Sequence, residues 1–212
     1  MNMNEHQLRE HICLTAKSLF DRGLTHGSTG NISARCEDGW LLTPTGSNLG
    51  ALDPARLTKL DWSGQRISGD APSKENFLHL CMYQERASSG AVIHLHATHS
   101  VAVSVLDGID IENVLPPITA YYVMRIGTLP LVPYFAPGDM ALADAVRRLA
   151  GRHHAVLLAN HGPVVAGSNL AAASDAIEEL EATAKLHLLL HGRKIRCLSD
   201  EQCAALRPPS GG

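Results

Sequence analysis

Apolar residues at Leu8, Ile12, Ala16, Leu19 and Phe20 recur at intervals of three and four, which predicts an amphipathic helix, and Gly23 stands where a left-handed residue would end it. The pattern then shortens. After the Gly-rich run Gly27-Ser28-Thr29-Gly30-Asn31, short strands are predicted at Ile32 to Arg35 and at Trp40 to Thr43, with turns at Thr43 to Gly46, Asp53-Pro54 and Trp62 to Gln65. Pro72 and Ser73 are helix-start signals for a segment carrying Phe77, Leu78, Cys81 and Met82, which places Glu75 in its first turn. Ala91 to His96 reads as a buried strand and Leu129 to Tyr134 as another, while Gly138 to Ala150 reads as a helix. The apolar strand Ala155 to Ala159 ends at Asn160-His161-Gly162. A long helix from Asn169 to His191 presents Leu170, Ala173, Ile177, Leu180 and Ala184 in one stripe, and Pro208 to Gly212 is a loose tail. No repeat or break in composition divides the 212 residues, so a single α/β domain over 1–212 is expected.

A formal charge of −3 gives no field that would collect nucleic acid or anionic lipid, so neither is expected as a partner. The five cysteines form no CxxC pair and read as reduced residues. The first residues lack the basic start and apolar run of a signal peptide, and no stretch reaches the ~18 apolar residues of a membrane span. A cytoplasmic protein is expected. Against only 4% aromatic residues, twelve histidines are the unusual feature.

His94 and His96, two apart on a predicted strand, would project from one face and share an ion. Imidazole and carboxylate donors together suit zinc and other first-row divalent ions, with at least three protein ligands in a catalytic site. His161, Glu75, His79 and His99 are the candidates for the remaining positions, and spacing does not choose among them. Any one of them alone is more often a hydrogen-bonded or surface residue, as His6, His11, His153, His154 and His187 are expected to be. The Gly27 to Ser33 segment and the Thr43 to Asn48 turn offer backbone N–H groups and hydroxyls to a phosphate. Ser73-Lys74 at a helix start adds a hydroxyl, a helix dipole and a positive charge.

Gly-Ser-Thr-Gly-Asn-Ile-Ser, Thr-Pro-Thr-Gly, Pro-Ser-Lys-Glu, His-Leu-His and Asn-His-Gly, in this order across residues 8 to 190, resemble the class II aldolase/adducin family. Within it, runs such as Ser-Gly-Asp-Ala-Pro-Ser-Lys-Glu and Leu-Ala-Asn-His-Gly-Pro-Val-Val are most similar to the 3-oxo-tetronate 4-phosphate decarboxylases. The resemblance implies a three-layer α/β/α fold with a central, mainly antiparallel sheet. It also implies a C4 homotetramer with active sites between subunits, and one divalent ion per subunit, Zn2+ first, then Mn2+ or Co2+.

The resemblance also implies residue roles. His94, His96 and His161 become metal ligands, Glu75 a ligand that also moves protons, and Asn31, Thr45, Gly46 and Ser73 phosphate contacts. Lys74 stands where the family's sugar-phosphate aldolases usually carry a second serine. Tyr121 becomes the catalytic tyrosine reaching across an interface, with Tyr122 beside it as the alternative. The implied reaction is decarboxylation of a 3-oxo-tetronate 4-phosphate. The rivals are aldol cleavage of a ketose 1-phosphate of the fuculose type, epimerisation of a pentulose phosphate, and a non-enzymatic adducin-like module.

Overall fold

The computed structural model describes residues 3–136 and 138–206, so the expected tail at Pro208 to Gly212 lies outside the described residues. Eight strands are paired in one sheet: β1 (Asn31–Cys36), β2 (Gly39–Leu42), β3 (Thr58–Leu60), β4 (Arg66–Ser68), β5 (Ala91–His94), β6 (Leu131–Val132), β7 (Ala155–Leu158) and β8 (Gly162–Gly167). Their spatial order is β4-β3-β2-β1-β5-β8-β7-β6. Every neighbouring pair is antiparallel except β6 and β7.

Among the described residues, seven α-helices accompany the sheet: α1 (Glu5–Asp21), α2 (Asn76–Glu85), α3 (Thr98–Ser104), α4 (Ala120–Arg125), α5 (Ala141–Ala150), α6 (Leu170–Leu189) and α7 (Asp200–Leu206). Successive side chains of a strand point to opposite faces, and here both faces are covered. Ile93, Leu157 and Val165 pack with Ile12 of α1, Val103 of α3, Tyr122 of α4 and Ile177 of α6. Their chain neighbours Val92, Val156 and Val164 pack with Leu78 of α2 and Val146 of α5. Continuous apolar runs such as Ala155 to Leu158 follow directly from this, and the layers match the expected α/β/α arrangement. No helix among the described residues is long and apolar enough to cross a membrane.

Several boundaries differ from the sequence reading. Glu75 is the N-cap of α2, not a member of its first turn, because Asn76 is the first helical residue and the chain from Pro72 is still extended against Pro44. β5 stops at His94, so His96 lies beyond the strand. The strand expected over Leu129 to Tyr134 contracts to the two residues of β6, between Pro130 and Pro133, which have no N–H to give. Strands β3, β4 and β8 and helices α3, α4 and α7 carry no periodic signal of their own in the sequence.

Two local features lock the region where β1 meets β5. Gly30 has φ of +79°, and a Cβ there would stand 2.9 Å from the His94 carbonyl oxygen and 3.0 Å from Leu95 Cδ2. The glycine allows the chain to enter β1 at close range to the end of β5. His79 of α2 is completely buried beneath β1, and burial pushes its ring below the usual 6.5, to about 3.

Gly30→Ala is expected to cost about 1–3 kcal/mol, the usual range for a side chain held in a left-handed conformation, before the contact with His94 is counted. The urea midpoint of the variant measures it. Acid should destabilise the protein in a stated window. Because the folded ring of His79 takes its proton at about 3 and the unfolded one near 6.5, the unfolded chain binds more protons between these values. The contribution of His79 is therefore complete above pH 6.5 and is lost progressively as pH falls toward 3. Urea midpoints from pH 7 to 4 should fall along that window, and the fall should be shallower in His79→Gln.

Candidate metal centre

Three histidines and one carboxylate converge at the end of β5 next to the start of α2. Glu75, His94, His96 and His161 each direct one donor atom to a common region, all within 4.8 Å of one another. The sequence separates them widely, and the fold collects them from three places. β5 delivers His94 as its last residue and His96 just beyond. The N-cap of α2 delivers Glu75, and the tight turn from β7 into β8 delivers His161.

That turn is unusual in its backbone. Asn160 has φ of 57° and Gly162 has φ of 149°, and a Cβ on Gly162 would lie 2.3 Å from the carbonyl oxygen of Leu95, the residue between the two clustered histidines. Only glycine lets β8 start this close to β5. The approach sets the His161 ring against His94 and His96, with centroid separations of 4.8 and 4.6 Å.

His94 has no exposed surface. Its Nδ1 lies 2.9 Å from the Pro163 carbonyl oxygen, which only an N–H can satisfy, so the neutral ring carries its proton there and presents a bare lone pair at Nε2. That Nε2 is buried, has no hydrogen-bond partner and lies 3.5 Å from Glu75 Oε2. Leaving such an atom unpaired is costly unless something outside the protein completes it. A ring that gives one nitrogen to a backbone carbonyl and offers the other to the site is the usual arrangement of a metal-ligating histidine. His161 Nε2 lies 3.0 Å from both His96 Nε2 and Glu75 Oε1. The donor set therefore fits a divalent cation.

The electrostatics agree. Burial lowers the pKa of His94 and, helped by the neighbouring His94 and His161 rings, lowers that of His96 to about 4, so both rings are neutral and available as ligands near pH 7. Burial alone would raise the Glu75 carboxyl. The His161 hydrogen bond, the electrostatic effect of the adjacent His94 ring and the Asn31 amide outweigh it and hold Glu75 below its ordinary range.

Two of the expected phosphate contacts, Asn31 and Ser73, adjoin the cluster. Asn31 pairs with His94 in the β1–β5 register, and its Nδ2 donates to Ser73 Oγ at 3.1 Å and to Glu75 Oε2 at 2.8 Å. Thr45 and Gly46 sit in an exposed loop tied to this segment by the Thr45 N–H, which donates to the Ala71 carbonyl at 3.0 Å. Lys74, next to Ser73 in the chain, is exposed.

Neither remaining histidine candidate joins the cluster. His79 is enclosed between Ser33 and Asn31, and His99 is engaged by Glu181 at 2.7 Å. The two tyrosines separate as well. Tyr122 is fully buried, with its hydroxyl directed at Asn113, whereas Tyr121 is 61% exposed and borders a different depression with Asp175 and Glu179.

A cavity of about 550 Å³ opens on His96 and His161 and is walled by His26, Thr98, Val101, Tyr134, Phe135 and Asn160. Sequence reasoning missed this wall. Tyr134 and Phe135 sit in an irregular stretch where no periodicity marks a facing side. A larger depression of about 950 Å³ lies beside the start of α1 and contains no histidine.

Comparison with known proteins gives the same frame. Residues 10–188 match the family model described as the class II aldolase and adducin N-terminal domain. A 3-oxo-tetronate 4-phosphate decarboxylase of Escherichia coli strain K12 is 50% identical over 204 residues, covering 96% of each chain. An L-fuculose phosphate aldolase of Haemophilus influenzae is 35% identical, over 94% of this chain and 92% of that one. The crystal structure of YgbL from Escherichia coli superimposes with a TM-score of 0.94 at 48% identity, covering 96% of this chain and 99% of that chain. The chain belongs to the class II aldolase and adducin N-terminal domain family.

Proposed function

We propose that this chain is a metal-dependent carboxy-lyase that converts a 3-oxo-tetronate 4-phosphate to dihydroxyacetone phosphate and carbon dioxide, with one divalent ion held by Glu75, His94, His96 and His161. The observation that carries the reading is the buried, unpartnered His94 Nε2 facing three further donors. We read the whole chain as one such domain and Zn2+ as its ion, because three imidazoles and a carboxylate are donors that zinc favours. When bound, the ion supplies Lewis-acid stabilisation of negative charge on the C3 oxygen of the substrate.

The chain's own residues do the rest. Asn31 and Ser73, with Thr45, Gly46 and Lys74, take the phosphate and so anchor the substrate by a group remote from the breaking bond. As C1 leaves as carbon dioxide, its bonding electrons pass to C2, in conjugation with the C3 carbonyl, and C2 must then gain a proton. Glu75 begins as a carboxylate and delivers a proton only after taking one up. Tyr121 of the partner subunit in a homotetramer is the second proton donor, a role supported by its exposure away from the cluster of its own chain. The free cysteines support a cytoplasmic setting.

Aldol cleavage of a fuculose-type ketose 1-phosphate, or pentulose-phosphate epimerisation, would use the same cluster and differ in the fragment that leaves. The higher identity to the decarboxylase favours carbon dioxide. A non-enzymatic adducin-like role has no use for four converged donors.

Incubated separately with a 3-oxo-tetronate 4-phosphate and with fuculose 1-phosphate, the zinc-loaded protein should release carbon dioxide and dihydroxyacetone phosphate in equal amounts from the first. Turnover of the second alone would reassign the chain as an aldolase. Replacing His94, His96 or His161 by Ala should in each case strip the ion and abolish turnover, since Glu75 also has to leave the ion to move a proton, and two imidazoles then fall short of the three protein ligands of a tight catalytic site. His99→Ala should keep the ion, because His99 is occupied by Glu181. Elemental analysis of the four purified variants decides, and full occupancy in His161→Ala would remove that residue from the centre.

A further inference from the structure

Beneath the centre, Asn31 is met by a single file of buried polar groups, Tyr83, Ser33 and His79, that neither ion binding nor phosphate binding accounts for. The Tyr83 hydroxyl lies 2.8 Å from Ser33 Oγ, Ser33 Oγ lies 2.7 Å from His79 Nδ1, and His79 Nε2 meets Asn31 Oδ1. Asn31 Nδ2 then reaches Glu75 and Ser73. Tyr83, Ser33, His79 and Asn31 are between 0% and 4% exposed, so bulk solvent does not reach these links.

Chemistry fixes the direction of every bond. The Glu75 carboxylate can only accept, so the Asn31 amide must present its NH2 to Glu75 and its oxygen to His79. A neutral imidazole has one N–H, and it must therefore sit on Nε2. Nδ1 is then an acceptor and takes the Ser33 hydroxyl proton, which leaves Ser33 Oγ to accept from Tyr83. Each donor has one acceptor, and the file ends on a carboxylate of the metal cluster. Packing alone does not demand this. His79 lies nearly parallel to Trp40, at 12° and a centroid distance of 6.3 Å, a place that an apolar side chain could fill.

We propose that Tyr83, Ser33 and His79 are positioning residues that lock the orientation of the Asn31 carboxamide, and thereby hold Glu75 in its ion-binding pose and leave the Ser73 hydroxyl, which accepts from Asn31, free to donate to the substrate phosphate. This rests on the reading of Glu75 as a ligand. With the amide reversed, Asn31 would set its oxygen against the Glu75 carboxylate, two acceptors face to face, and the Ser73 hydroxyl would spend its proton on that oxygen instead of on the phosphate.

The test uses His79→Leu, which fills the ring's space without polar atoms, and His79→Gln, whose side-chain amide keeps an N–H directed at Asn31. Zinc affinity is measured by competition with a chromogenic chelator, inorganic phosphate binding by calorimetry on the zinc-loaded chain, and thermal melting in parallel. His79→Leu should weaken zinc roughly 10-fold, as loss of an outer hydrogen-bond partner typically does, and should weaken phosphate as well, while His79→Gln restores most of both. A purely structural role would lower the melting temperature of both variants with zinc affinity unchanged, and that result overturns the proposal. Equal weakening in Leu and Gln variants also overturns it.

Should His79→Leu not fold, Ser33→Ala carries the question. Without the hydroxyl, His79 is free to move its proton to Nδ1, and zinc affinity should fall; parental affinity in Ser33→Ala would overturn the relay. A parent chain that binds no zinc would instead overturn the reading of Glu75 as a ligand, an outcome distinct from parental zinc binding that the variants leave unchanged.

Discussion

The hydrogen bond from His94 Nδ1 to the Pro163 carbonyl is the contact on which the rest of the site depends. It selects the tautomer, aims the free lone pair and joins β5 to the start of β8, all through one proton. The bond exists only because Gly162 lets β8 begin against Leu95, and the same approach carries His161 to His96. A strand register, a glycine and a backbone carbonyl thus set the chemistry of a side chain before any ligand arrives. The polar file under β1 repeats the principle from the other side, with the β1–β5 register placing Asn31 opposite His94 and α2 bringing Glu75 and His79 to the same face.

What was legible in the sequence was what local forces decide. The stripes of α1 and α6 are long enough to declare their buried faces, and Asn4 and Asn169 cap them with side chains close in sequence. β2, β5 and β7 carry apolar runs, and β1 alternates Ile32 and Ala34 with polar residues, patterns that need no partner to be recognised. The histidine pair stood out because histidines are abundant here and aromatics few, and the family motifs drew His161 and Glu75 to it where spacing could not.

What stayed hidden depends on partners distant in the chain. β8 begins with Gly-Pro and has four apolar residues between glycines; pairing with β5 and β7 makes it a strand. The start of α3 has no capping side chain of its own, and its His99 and Ser100 N–H groups are taken by Glu181 of α6, some eighty residues later. Glu75 was placed one position too deep because Pro72 and Ser73 announce a helix whose first turn is delayed by the bridge between Pro44 and Pro72. His79 could not be distinguished from a ligand by sequence, since only burial between Ser33 and Asn31 shows that both of its nitrogens are used.

The outermost strands have a bearing on how copies of this chain can meet. A sheet edge is a row of unspent N–H and C=O groups, able to template another strand. Here one edge is β4, three exposed residues opening with Arg66, and the other is β6, two residues between prolines. Neither is long enough, and the second lacks donors on both sides, so extension by strand addition is blocked at both ends. Any association of this chain with itself would then run through side-chain surfaces of the helical layers and loops, where shape and charge, not backbone pairing, choose the partner.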